Sequence, residues 1–148
     1  MESAVVLGAV FLIGTILFIG TIKQTAALYE KAARDKLTEG EFRAARFSMR
    51  ASAVPWQLKL ANLLGFISHA KFRTFSGDEE LLQILKAAEG RRVRIYFLSD
   101  RFSLIDGKLM RADASGSIVL RISDNDEPTG LWAEQVSLIC LFQNDVTT

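Results

Sequence analysis

The chain opens on twenty uncharged positions, Ser3 to Ile22 (SAVVLGAVFLIGTILFIGTI). As a helix rising about 1.5 Å per residue, they cover the roughly 30 Å hydrocarbon core of a bilayer. The Thr15 and Thr21 hydroxyls can bond back to their own helix. The helical period runs on to about Leu37, and Thr38-Glu39-Gly40-Glu41 then has the form of a capping box, Thr38 as N-cap and Glu41 reaching back. The next helix puts Phe42, Ala45, Met49 and Ala53 on one stripe, with Arg43, Arg46 and Arg50 beside it. Val54-Pro55 ends it, and Pro55 suits the first turn of another helix. In that segment, WQLKLANLLGFISHAKF, Trp56, Leu60, Leu63, Leu64 and Ile67 share a face. Lys59, Asn62, His69, Lys71 and Arg73 lie towards the other side. The segment is too short and too polar to span a bilayer. It fits either a helix lying in the membrane interface or one packing its stripe on another subunit.

Ser76-Gly77-Asp78-Glu79 reads as a second capping box, opening a helix that carries Leu81, Leu82, Leu85 and Ala88 and stops at Gly90. The period then changes from 3.6 to 2. Val93, Ile95 and Phe97 alternate with Arg92, Arg94 and Tyr96. Ser99-Asp100 turns the chain into a strand from Phe102 to about Ala112, and Ala114-Ser115-Gly116 turns it into Ser117–Ile122. After the polar SDNDEPTG loop come short strands at Leu131–Val136 and Leu138–Phe142. One helix and five short strands hide a single apolar face by curling into a small barrel. The last strand, in SLICLF, sets Leu138, Ile139, Leu141 and Phe142 before the next charge at Asp145, and is expected to be an unpaired edge for self-assembly or a partner. The expected fold is α+β: a transmembrane anchor at 1–22, a basic amphipathic helical neck at 23–75 and a five-stranded barrel domain at 76–148.

Charge adds an orientation. The net charge is +1, but residues 23–75 hold ten Lys/Arg against four Asp/Glu, and residues 76–148 eight against twelve. Lys23, Lys31, Arg34 and Lys36 follow the apolar run, and Glu2 precedes it. Positive residues stay inside, so the N-terminus is expected outside and the C-terminal bulk in the cytoplasm. The acidic start and the helical continuation TIKQTAALYE argue for a retained anchor over a cleaved signal peptide.

Little chemistry can be assembled. With one His and one Cys, the usual imidazole–thiolate metal sites have too few ligands. His69 reads as a polar-face residue, Cys140 as a buried structural thiol, and Asp124-Asn125-Asp126-Glu127 as a turn. No nucleophile, base and orienter come together and no Gly-rich phosphate loop is present, so neither an enzyme nor a cofactor or small-molecule substrate is expected. Arg91, Arg92, Arg94 and Arg101 with Tyr96 and Phe102 mix basic and aromatic residues, as RNA or anionic-lipid surfaces do. In an acidic domain they read as a solvated sheet face.

The apolar span followed by Glu39-Gly40-Glu41-Phe42, Ala44-Ala45-Arg46, Ser48, Ala53 and Trp56 resembles the dispanin (interferon-induced transmembrane) family over about residues 4–60. That family's second apolar span is replaced here by a segment with Lys59, Asn62 and His69, which limits the analogy to an anchor and a membrane-hugging helix.

Residues 78–142 resemble the Sm/LSm family, which includes the bacterial host-factor RNA chaperones. The likeness rests on Val93-x-Ile95, Gly107-x-Leu109, Asp113 and Ile118-Val119-Leu120, then Leu131, Val136 and Ile139. It implies an Sm-like, SH3-like small barrel in which Gly107 lets the second strand bend and Asp113 braces a turn. The family's base-reading Asn is replaced by Ser117, and its Arg-Gly pair by Trp132-Ala133. Loss of that Arg removes the charge-assisted nucleotide contact, so nucleic acid is not the expected partner. The expected role is a non-catalytic accessory subunit that assembles a membrane complex with membrane lipids and integral membrane proteins, or with copies of itself. A membrane-tethered RNA binder and a lipid-sensing or channel-associated module are the alternatives.

Overall fold

The computed structural model describes residues 2–98, 103–123 and 127–142. Helix α1 runs without interruption over Glu2–Arg34. It is long and apolar enough to cross a membrane, with a mean hydropathy of 2.6 over its most apolar 18 residues. The hydroxyls of Thr15, Thr21 and Thr25 donate to the carbonyls of Phe11, Leu17 and Thr21 at 2.8–2.9 Å, so this helix satisfies its own polar groups. It stops where Lys36 takes a left-handed conformation (φ 58°).

Helix α2, Glu39–Ala44, opens on the expected capping box, with Thr38 and Glu41 bonded reciprocally. It does not continue as the expected second helix. Ala45–Arg50 is a strand, β1, running antiparallel to β7 (Val136–Phe142). The run ARFSMR carries a period of 2 as well as a helical stripe, and pairing with a distant strand decides between them. After a single 3₁₀ turn at Ala51–Ala53, helix α3 covers Trp56–Leu64 and ends at a left-handed Gly65 (φ 81°). The chain then turns inward, and Phe72–Phe75 forms β2, parallel to β1. Residues 23–75 are thus not a purely helical neck, and the sheet runs across the expected boundary at 75/76.

Helix α4, Asp78–Ala87, has Gly77 as its N-cap. The carboxylate that reaches back is Glu80, accepting from the Ser76 amide and hydroxyl at 2.8 and 2.9 Å, one residue later than the expected box. Strands β3 (Arg92–Phe97), β4 (Leu104–Ala112), β5 (Ser117–Arg121) and β6 (Thr129–Trp132) follow as antiparallel neighbours, and a 3₁₀ turn at Ala133–Gln135 leads into β7. The expected turn at Ser99-Asp100, the residues Arg101 and Phe102, and Asp124-Asn125-Asp126 lie outside the described residues.

Among the described residues, the result is a seven-stranded sheet in the order β2-β1-β7-β3-β4-β5-β6, open at β2 and β6. This open sheet stands where a five-stranded small barrel was expected. β7 has β1 on one side and β3 on the other, so Leu138, Ile139, Leu141 and Phe142 do not form an edge. The strand that was to be left for a partner is covered by the chain's own β1. Gly107 permits a close crossing of β4 and β5, since a Cβ there would lie 2.7 Å from the Arg121 carbonyl oxygen.

Two apolar cores flank the sheet. One joins Ile22, Ala26 and Ala33 of α1 and Leu58 and Ala61 of α3 to Phe47, Phe72, Tyr96, Leu138, Cys140 and Phe142. The other joins Leu81 and Leu85 of α4 to Val93, Ile95, Leu109, Ile118, Leu120, Val136 and Ile139.

Candidate functional site

A cluster of charged residues fastens the end of α1 to the sheet. On β3, Arg94 is only 2% exposed. Its Nη1 donates to the Asp35 carbonyl at 2.5 Å and its Nε to Asp106 Oδ2 at 3.2 Å. The hydroxyl of Tyr96 donates to the Ala32 carbonyl at 3.2 Å. The last carbonyls of a helix lack partners within it and carry the negative end of its dipole, so a buried guanidinium there answers both needs. Asp106 faces Arg94 directly in the β3–β4 register and also takes Arg92 Nε and Nη2 at 2.8 Å each. Arg92 reaches on to the carboxylate of Glu41, the capping residue of α2. Four elements therefore meet through two arginines and two carboxylates.

The electrostatics follow from these contacts. The hydrogen bonds that Arg92 donates to Asp106, and with less effect to Glu41, outweigh burial and raise its pKa. Arg92, aided by Thr38, lowers that of Glu41. Burial opposes the charge on Arg94, but the Tyr96 hydroxyl and Asp106 more than offset it. Burial raises the pKa of Tyr96 itself. Sequence reasoning expected Arg92, Arg94 and Tyr96 on a solvated face. Instead the end of α1 lies over them, and only the alignment of Arg94 with Asp106 across a hairpin could have signalled an ion pair.

The expected lipid-contact residues divide. Trp56, Lys59, Leu63, Leu64, Lys71 and Arg73 are exposed, and Leu60 is half-buried. Ile67 is fully buried and belongs to the first core, because the chain reverses at Gly65 and carries it inward, off the helix stripe. Trp56 stacks on Phe18 of α1 with ring centroids 5.6 Å apart, and Lys23 lies 5.6 Å from the centre of the Phe66 ring. His69 is exposed, with its ring edge towards Phe42 at 6.4 Å.

The positions that carry the Sm-like resemblance also divide. Val93, Ile95, Leu109 and Val136 are fully buried in the second core, and Gly107 serves the strand crossing. Asp113 braces its turn by accepting from the amides of Ser115 and Ser117 and from the Ser115 hydroxyl, contacts that lower its pKa. Ser117 and Trp132 are directly paired across β5 and β6, and the Ala133 amide donates to the Gly116 carbonyl at 2.8 Å. The indole of Trp132 is 54% exposed.

At the opposite end of the sheet, Asn62 of α3 clasps β2, donating to the Phe72 carbonyl at 3.1 Å and accepting from its amide at 3.3 Å. A side chain in that place blunts an edge. Cys140 is buried, and burial pushes its thiol up to about 12. Among the described residues, no group of three or more His, Cys, Asp or Glu is placed to hold a metal ion. Comparison of the chain with protein-family models, curated proteins and solved structures finds no match.

Proposed function

We propose that this chain is a non-catalytic structural or accessory subunit, anchored by α1 in a membrane with its sheet domain in the cytoplasm, that helps to assemble a membrane protein complex. The observation that carries this reading is the continuity of α1. One helix supplies the exposed apolar stretch at its N-terminal end and then, from Ile22 onward, core residues of the domain. Arg94 and Tyr96 grip its last carbonyls. A flexible linker would let a tethered domain search its surroundings. A helix that belongs to the core instead holds the domain at a set height above the membrane, as a structural subunit requires.

With β7 enclosed, assembly through an open sheet edge falls to β6, whose Thr129-Gly130-Leu131-Trp132 carry no charge. The Sm-like resemblance of residues 78–142 supports a module that joins others through its strands. Gly130→Lys tests the edge, because a Cβ there meets nothing within 4 Å and the charge is added without crowding. In mild detergent, the full-length variant should lose the copies or partner proteins that wild type retains. A wild-type chain that runs alone as a monomer, or a variant that keeps its assembly, would overturn the reading. Protease added outside sealed cells should leave the sheet domain uncut.

The juxtaposition of Ser117 and the exposed Trp132 favours one second reading, a membrane-tethered RNA binder that stacks a base on the indole. Salt-sensitive, tight binding of uridine- or adenine-rich RNA by the full chain, lost in Trp132→Ala, would establish it in place of the first.

A further inference from the structure

Helix α3 is amphipathic in an unusual sense, because its bulkiest apolar side chains face away from the protein. It buries Leu58 and Ala61, while Trp56, Leu63 and Leu64 are 52%, 79% and 58% exposed. Residues 56, 63 and 64 are spaced so that they share one side of a helix, with Lys59 at its margin. An apolar face of this kind on a domain surface marks a place where something apolar covers it.

The contacts of α3 with α1 say what that is. Trp56, at the start of α3, stacks on Phe18, within the uncharged stretch of α1. Phe66, just past its end, meets Lys23, the first charge after that stretch. α3 therefore lies against α1 at the level where the apolar stretch gives way to charge. Its exposed face is continuous with the exposed face of α1 through the Phe18–Trp56 stack. Lys59, Lys71 and Arg73 are exposed close by in the chain, the composition of a segment that meets anionic headgroups.

We infer that α3 is a second membrane attachment. Its Trp56–Leu63–Leu64 face lies in the interfacial layer of the same bilayer that α1 crosses, with the indole at headgroup level and Lys59 at the polar rim. The inference rests on α1 spanning that bilayer. Two points of attachment fix the tilt of the sheet domain, which one helix alone would leave free to rotate about its axis.

The test uses the full-length chain reconstituted in vesicles of mixed neutral and anionic lipid. Trp132→Phe leaves Trp56 as the only tryptophan. Its emission should be blue-shifted, strongly quenched by lipids brominated near the headgroup, less by lipids brominated deep in the chain, and little by aqueous iodide. Adding Leu63→Glu and Leu64→Glu should reverse the balance between bromolipid and iodide quenching while the protein still pellets with membranes after an alkaline wash. Quenching by iodide alone in the parent would overturn the inference, placing α3 in water. Shielding from both quenchers would also overturn it, placing a second copy of the chain over the face. Release by the alkaline wash is a different failure, that of α1 as a span.

Discussion

The two cores on either side of the sheet are built differently. The one beneath α4 draws on Phe75 to Ile139, almost entirely from one helix and hairpins that follow one another in sequence. The one beneath α1 and α3 draws on Ile22 at one extreme and Phe142 at the other, and closes only when β1 lies against β7. β3 and β7 serve both, sending Val93, Ile95 and Ile139 to one side and Tyr96, Leu138, Cys140 and Phe142 to the other. Local hairpins order little chain for each contact, whereas the second arrangement must also close a loop over most of the protein to bring β1 to β7. The α4 core is therefore expected to be self-sufficient in design, and the α1 core to depend on it for the strands it packs against.

The severest way to break this comparison is Ile139→Lys. Ile139 is fully buried on an interior strand, and an unpaired ammonium there costs more than a domain stability of about 5–15 kcal/mol readily absorbs. Both cores should be lost together, read as protease sensitivity throughout the domain; a folded Ile139→Lys domain would contradict the interior placement of β7. Arg94→Met should do less and do it unevenly. It removes the grip on α1 but leaves Asp106 with Arg92, so the cost should lie near the lower end of the range for breaking a buried ion pair, about 3 kcal/mol. Hydrogen exchange should quicken around Ala32 to Leu37 while amides over the α4 core stay protected. Uniform quickening would show that the two cores open as one unit.

At neutral pH the smallest effect belongs to Cys140, which reports on the α1 core alone. Its pKa rises from 9.0 to about 12 because burial penalises the thiolate. The folded state then holds the proton more tightly, so this contribution is fully present below about pH 9 and declines as the pH climbs towards 12. Subtracting the pH profile of unfolding for Cys140→Ala from that of wild type should isolate a decline in this window alone. A difference that is flat with pH would show that the thiol is solvated. At neutral pH, alkylation of Cys140 should follow the opening of the α1 core.

Much of the α4 side was legible in the chain itself. The change of period after Gly90, the turn residues around Ser115-Gly116 and the alternation of Val93, Ile95 and Phe97 express local backbone preferences, and the strands there formed within a few residues of their expected limits, except that the expected strand Leu131–Val136 is β6 at Thr129–Trp132 followed by a 3₁₀ turn at Ala133–Gln135. The charge-free stretch of α1, the Thr38–Glu41 cap, the Asp113 turn and the outward stripe of Trp56, Leu63 and Leu64 were equally available, because each depends on neighbours no more than a few turns away.

Only the tertiary structure decided what lay across the chain. SLICLF has the same pattern whether it is an edge awaiting a partner or a strand paired along both edges, and β1 and β3 on either side made it the second. ARFSMR could serve a helix or a strand until β7 supplied hydrogen-bond partners. Arg94 and Tyr96 occupy alternate polar positions that ordinarily face water, and became buried because the end of α1, some sixty residues earlier, needed donors there. Periodicity records which side of a segment is apolar. What comes to cover each side depends on contacts between distant segments, and the local pattern carries no record of them.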